Sequence, residues 1–586
     1  MTRQHRLFAG SLFALSATAC ASGALAAASG TDPLRFDPSK YSTVHVTVDG
    51  APLEVRRYQV VYVSKPVAVD ITKAPSMGPP PGAGPPGGAG PQGAGGPPGG
   101  AAPQGAGGPP GGPGGPFVQT PVTDPHAYQS MYIYVPSTAY NDTRTAIILQ
   151  VGNAGWVASA AQDRIVDGGQ FSGNSDTDNT GAALKAGYVI VNAGTRSRGI
   201  KGTDGSWVGK APAVVVDAKA AIRYLRYNDA VMPGSAERIV ITGTSGGGGL
   251  SVAVAASGNS PDFYPYLAAI GAAGIDAKGK STVRDDIFGT IAYCPINDLG
   301  HADTEYEWQY GAVRSAANTN RGQYPADMQA ASKALAAAFP AYLASLHLKR
   351  EDGTPLTADN LQQAILAQVK KGTEAGIARG EKIPALGQDF VLSNRGTTTT
   401  QRNEWLTVEN GQVRNIDYTK YLQFVASATA LKTAPAFDAA ANTGNKGVSG
   451  ESTLFGPATA EYSNFAEYSW NHNEVPGDGS GPDDTHQSWA DYTAGAGKSL
   501  LAQVKMVSPI PYLTRGADSA PYWYVRHGMV DRDTSFATQV TLYYSILNSH
   551  RVKDVNFQLA WLRPHSGDYD VREAYAWLAG VLAKAK

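Results

Sequence analysis

Only two cysteines occur in 586 residues, Cys20 and Cys294, and that scarcity excludes a disulfide-stapled scaffold. Cys20 falls in an N-terminal segment expected to be cleaved or lipidated, so the mature chain is left with one thiol and no intramolecular disulfide. Charge asymmetry is also lacking. Lys and Arg number 48 against 49 Asp and Glu. With no basic stripe and no acidic block, nucleic acid is not expected as a partner. Long apolar runs are missing too. Leu7–Ala19 is shorter than the about 20 residues that span a bilayer as a helix, and no later segment is long and apolar enough to cross a membrane. Finally, no charge occurs between Lys73 and Asp124. From Pro79 to Pro116 this stretch is almost entirely Pro, Gly, Ala and Gln, and the block beginning Pro91-Gln92-Gly93 recurs twelve residues on, at Pro103. Glycine is not at every third position, so this is not collagen. Such a composition cannot bury apolar area and is expected to be disordered.

What is present begins with a targeting signal. Arg3 and Arg6 precede the apolar run, and Ala24-Leu25-Ala26 or Ala26-Ala27-Ala28 suits a signal peptidase. Ala17-Thr18-Ala19-Cys20 also resembles a lipobox, though it lacks Leu three residues before the Cys. The chain is thus expected to be secreted or periplasmic, with an outer-membrane lipoprotein as the alternative; a membrane is a partner only if Cys20 is lipidated.

The rest of the chain reads as alternating strands and helices. Val44, Val46 and Val48 alternate ahead of Asp49-Gly50, a hairpin signal. Met131–Val135, Thr145–Val151, Tyr188–Asn192 and Arg238–Thr242 read as strands, and Ala211–Leu225 as an amphipathic helix. That alternation predicts an α/β fold with a mostly parallel sheet covered on both faces. Ala326–Leu346 and Leu361–Gln368 read as helices among long polar stretches. Sheet character returns at Tyr522–Val525 and Val555–Leu559, and Val571–Ala585 reads as a closing helix. Cys294, at the end of the apolar run from Ile287, reads as a packed core thiol.

Gly243-Thr244-Ser245-Gly246-Gly247 matches G-x-S-x-G between an apolar strand and a helix start, the setting of a nucleophile elbow. Ser245 is the expected nucleophile, and the Gly246 N–H an oxyanion donor. No Lys follows, as a phosphate loop would require. In an α/β-hydrolase the acid and then the base follow the serine. Asp531 and His565, each in a loop after a late strand, take those places. Gly155, in the loop after Ala146–Val151, is the expected second oxyanion donor. The interval from Ser245 to Asp531 is far longer than βα units of about 30 residues demand, so roughly 200 residues form an insertion, read as a lid. The expected organisation is a signal peptide at 1–28, N-terminal strands at 29–72, a disordered Pro/Gly insertion at 73–123, hydrolase parts at 124–295 and 516–586, and a lid at 296–515.

At these residues the chain resembles the bacterial tannases. The resemblance runs through Gly209-Lys210-Ala211-Pro212, Gly243–Gly248, Asp285-Asp286-Ile287-Phe288, Tyr293-Cys294-Pro295-Ile296 and His301-Ala302-Asp303. It continues in Tyr306-Glu307-Trp308-Gln309, Arg526-His527-Gly528, Asp531–Ala537 and Pro564–Asp570. It implies a serine esterase that cleaves galloyl esters of tannins and simple gallates through an acyl-enzyme. It implies too that Lys432, Glu451 and Asp533 hold the galloyl hydroxyls, since two carboxylates and an ammonium satisfy adjacent phenols. The small-molecule partner is then a polyphenol ester, and no cofactor is required. A feruloyl or hydroxycinnamoyl esterase, or a serine exopeptidase of the same fold, are the alternatives. No metal is expected; Asp478–His486 is oxygen-rich but lacks the ligand spacing of an EF-hand and reads as a solvated loop.

Overall fold

The computed structural model describes residues 32–72, 122–320, 322–394, 397–439 and 448–585. The targeting segment expected at 1–28, Cys20 included, lies outside them, as does nearly all of the Pro/Gly segment expected at 73–123.

Strands β1 (Ser42–Val48) and β2 (Ala51–Val61) form the expected hairpin. Asp49 and Gly50 turn it with φ of 49° and 82°, the left-handed pair that a two-residue turn needs. Next come β3 (Ser130–Pro136), β4 (Ile147–Gln150), β5 (Gln170–Phe171), β6 (Val189–Ala193), β7 (Ile239–Thr244) and β8 (Gly289–Tyr293). Two small hairpins follow, β9 (Asp389–Asn394) with β10 (Thr397–Arg402) and β11 (Leu406–Glu409) with β12 (Gln412–Ile416). Strands β13 (Tyr522–Gly528) and β14 (Asp554–Ala560) finish the set.

Ten strands make one sheet in the order β14-β13-β8-β7-β4-β6-β3-β2-β1-β5. From β14 to β6 every pairing is parallel, while β6, β3, β2 and β1 pair antiparallel. The apolar runs of β4, β6, β7 and β8 are continuous because both faces are covered. Ile147 and Leu149 pack with the helices Ala213–Tyr227 and Gly246–Ala256. Ile148 packs on the other face with the helices Asn179–Lys185 and Val571–Lys584.

Strands β8 and β13 are sheet neighbours, paired from Gly289↔Tyr522 to Tyr293↔Arg526. Everything between them in sequence is therefore an insertion between two adjacent strands of the sheet. It starts with the helix Leu299–Tyr310 and includes the helices Ala326–Ser345, Ala358–Ala378 and Tyr418–Ala428. The segment read as the helix Leu361–Gln368 is the middle of Ala358–Ala378, whose last turns pack on β14: Lys371 Nζ donates to Phe557 O at 3.0 Å, and Gly372 lies against the Leu559 carbonyl. Insertion residues Leu361, Ile365 and Val369 share one apolar core with Phe557 and Leu559. The insertion is thus welded to the sheet edge as well as rising above it. Among the described residues no helix is long and apolar enough to cross a membrane.

Candidate active site

Ser245 sits between β7 and the helix Gly246–Ala256 with φ 62° and ψ −124°, a strained conformation for a residue with a Cβ. Its neighbours hold it there. Ser245 N donates to Tyr293 O at 3.0 Å, and Ser245 O accepts from Gly249 N at 2.9 Å and Ile296 N at 3.1 Å. A side chain at Gly243 would strike the Gly247 backbone, and one at Gly246 would strike Asn153 and Trp156. The glycines are what let strand, turn and helix close this tightly.

The structure brings Ser245, His565 and Asp531 into one line. His565 Nε2 lies 2.9 Å from Ser245 Oγ, and His565 Nδ1 lies 2.8 Å from Asp531 Oδ2. Asp531 follows β13 and is buried, while His565 follows β14 and is partly exposed. With Nδ1–H donated to Asp531, Nε2 is free to take the serine proton, the arrangement that acyl transfer requires. Burial opposes charge on His565, but Asp531 and Asp533 more than offset it and raise the imidazole well above its ordinary pKa. Burial likewise opposes charge on Asp531, yet His565 and His527 hold it low.

The Ala154–Trp156 turn after β4 seats against Gly246. Gly155 has φ 58°, and its carbonyl accepts from Arg198 Nε at 2.7 Å. Gly246 opens its helix, and first-turn N–H groups have no intrahelical acceptor. Both glycines read from the sequence therefore border the serine.

Of the three residues assigned to hydroxyl recognition, Asp533 stands nearest the triad, with Oδ2 3.7 Å from His565 Nδ1. Against burial, Arg532, His565 and Lys432 keep the Asp533 carboxyl below its usual pKa. Lys432 packs its ammonium 4.0 Å from the Phe437 ring centre, and its backbone N–H donates to Tyr306 Oη at 3.2 Å. Glu451 opens the turn Glu451–Leu454, which packs on Ala154–Trp156, and its charge favours the partly buried Arg198 cation. The residues 440–447 between them lie outside the description.

Several neighbours were given no place in the site by the sequence. Cys294, read as a packed thiol, is buried as expected, but it sits just past β8 with φ 44°, and its Sγ donates to Ser566 O at 3.1 Å beside the triad histidine. Burial pushes its thiol up to about 11. His527 Nδ1 lies 3.4 Å from Asp531 Oδ2. The Asp478–His486 carboxylates are engaged locally: Asp484 accepts from Gly477 N at 2.8 Å and Gly479 N at 2.6 Å, and Asp478 from Asn473 and Ser480.

A parallel sheet, a strained serine between strand and helix, and a histidine and aspartate after the last two strands define an α/β-hydrolase. The family model described as BD-FAE matches residues 131–309. Among solved structures, the chain is similar to a tannin acyl hydrolase in complex with ethyl gallate, with 28% identity over 94% of this chain and 99% of that one and a TM-score of 0.67. It is similar to the native tannin acyl hydrolase from Lactobacillus plantarum (28%, 94% and 99%, TM-score 0.66). The tannase of Fusobacterium nucleatum is similar at 26% identity over 94% and 99%, with a TM-score of 0.65. A comparison with curated proteins finds no match.

Proposed function

We propose that this chain is a secreted serine esterase of the tannase type, hydrolysing galloyl esters. Ser245 attacks the ester carbonyl while His565 takes its proton, and Asp531 orients His565 and stabilises the imidazolium. The Gly246 and Gly155 N–H groups receive the oxyanion. His565 returns the proton to the leaving alcohol, and water then releases gallate from the acyl-enzyme. Lys432, Glu451 and Asp533 read the ring hydroxyls, and the insertion carrying Lys432 and Glu451 serves as the lid.

The observation that carries this reading is the Ser245–His565–Asp531 line, at 2.9 and 2.8 Å, with Asp533 3.7 Å from the same imidazole. The likeness to tannin acyl hydrolases over 94% of the chain supports the substrate class. The test compares methyl gallate, methyl ferulate and an aminoacyl anilide. Preferred turnover of methyl gallate is expected; preferred turnover of the ferulate or the anilide overturns the galloyl assignment.

A further inference from the structure

Lys210 stands in a sequence block that the chemistry above leaves unused, and its position is unusual for a lysine. It is buried, and its ammonium faces three backbone carbonyls of the insertion. Nζ donates to Thr453 O at 2.9 Å, Phe455 O at 2.8 Å and Glu461 O at 2.7 Å. That uses all three ammonium protons and leaves no donor for solvent. Two backbone bonds flank the contact: Trp207 N donates to Ala458 O and Ala211 N to Leu454 O, both at 2.8 Å. All five donors come from the hydrolase loop between β6 and the helix Ala213–Tyr227. All five acceptors lie within ten residues after Glu451.

The consequence runs along the chain. Glu451–Leu454 packs on the Ala154–Trp156 turn, which in turn packs on Gly246 beside Ser245. Where the 453–461 carbonyls are tied fixes where Glu451 stands relative to the serine. Arg198 bonds Gly155 O and packs on Gly450, so it acts on the near side of the same turn. Lys210 acts on the far side.

We propose that Lys210 is a positioning residue for acyl-group recognition: through three carbonyls of the insertion it holds Glu451 in register with Ser245. The inference rests on the galloyl-esterase reading. An ammonium suits the task because it directs three strong bonds to convergent carbonyls, whereas a neutral side chain of similar length leaves them buried and unpaired. Lys210 touches neither the triad nor the reacting ester, so its loss should act on substrate binding rather than on the chemical step.

The test is Lys210→Met in the full-length chain, with methyl gallate and p-nitrophenyl acetate assayed side by side. The acetate has no ring on its acyl side and reports the triad alone. For methyl gallate, KM is expected to rise about 10-fold or more with a smaller change in kcat, and acetate turnover should stay within about twofold. Unchanged KM for methyl gallate overturns the proposal. Equal losses on both esters also overturn it, because they mark a general structural role. Should K210M fail to fold, Lys210→Arg decides. That variant keeps the cation but spreads its donors, so a several-fold KM increase confined to methyl gallate supports the proposal and wild-type KM overturns it. If the wild type itself hydrolyses the acetate but not methyl gallate, the galloyl reading fails, and this inference with it.

Discussion

Asp533 Oδ2 lies 3.7 Å from His565 Nδ1, so the triad imidazole faces a second carboxylate besides Asp531. That second charge favours the imidazolium and helps to raise the His565 pKa. The imidazole must be neutral to act as base, so the acidic limb of the pH–rate profile reports this pKa. Removing an anion lowers it. Asp533→Asn should therefore move the acidic limb of kcat/KM for p-nitrophenyl acetate downward by about 1 pH unit. A limb that stays in place or moves up would contradict the electrostatic role.

The same residue should govern substrate choice. Asp533→Ala removes an acceptor for a phenolic hydroxyl. A charge-assisted bond contributes about 1.5–3 kcal/mol, so kcat/KM for methyl gallate should fall about 10–150-fold. Benzoate esters without hydroxyls should lose much less. Equal losses for both would confine Asp533 to support of the triad.

Ser245→Ala should lower kcat by on the order of 10⁴–10⁶, since triad members act as a unit. Mass spectrometry of the wild type mixed with a gallate ester should show a covalent adduct that the variant lacks. The variant should melt near the wild type, because the three backbone bonds of Ser245 remain when its hydroxyl is lost.

Arg314 and Glu307 are a fully buried ion pair within the insertion, and Arg314 also donates to the Lys432 carbonyl. Arg314→Met should cost about 3–5 kcal/mol, because it strands a buried carboxylate. Denaturant unfolding measures this directly. A loss under about 1 kcal/mol would mean that Glu307 finds a proton or another partner.

Val69 N donates to Pro125 O at 3.1 Å, so the chain leaves and re-enters the fold at neighbouring points on either side of the Pro/Gly segment. Replacing residues 74–121 by a short Gly-Ser linker should leave both melting temperature and methyl gallate kinetics unchanged. A marked loss of stability would show that the segment packs on the hydrolase core.

The convergence of Ser245, His565 and Asp531 in the candidate site could be read in advance because its signals are local. Apolar β7, the glycines around Ser245 and the chain order of Asp531 and His565 each follow from short stretches of sequence. The interior of the insertion could not. Thr397–Arg402 is a polar run that becomes a strand only by pairing with Asp389–Asn394. Lys210, Arg198, Cys294 and His527 have roles set by contacts made far along the chain, which periodicity does not reveal. The blocks shared with tannases include Lys210, Cys294 and His527 without giving a reason, and they miss Arg198. Arg526, for example, ties β13 to the final helix through Asp570 and Glu573, both at 2.7 Å.

The insertion between β8 and β13 also sets an order of assembly. The ribosome completes β7, Ser245 and β8 long before His565, 320 positions later, exists. Until Tyr522–Gly528 is made, β8 has one partner, β7, and one row of open N–H and C=O groups where β13 belongs. An unpaired apolar strand edge is a template for wrong pairing, and non-local closure of a parallel sheet is slow. The growing chain is thus exposed to self-association until β13 docks, and inert as an enzyme until His565, beyond β14, follows it.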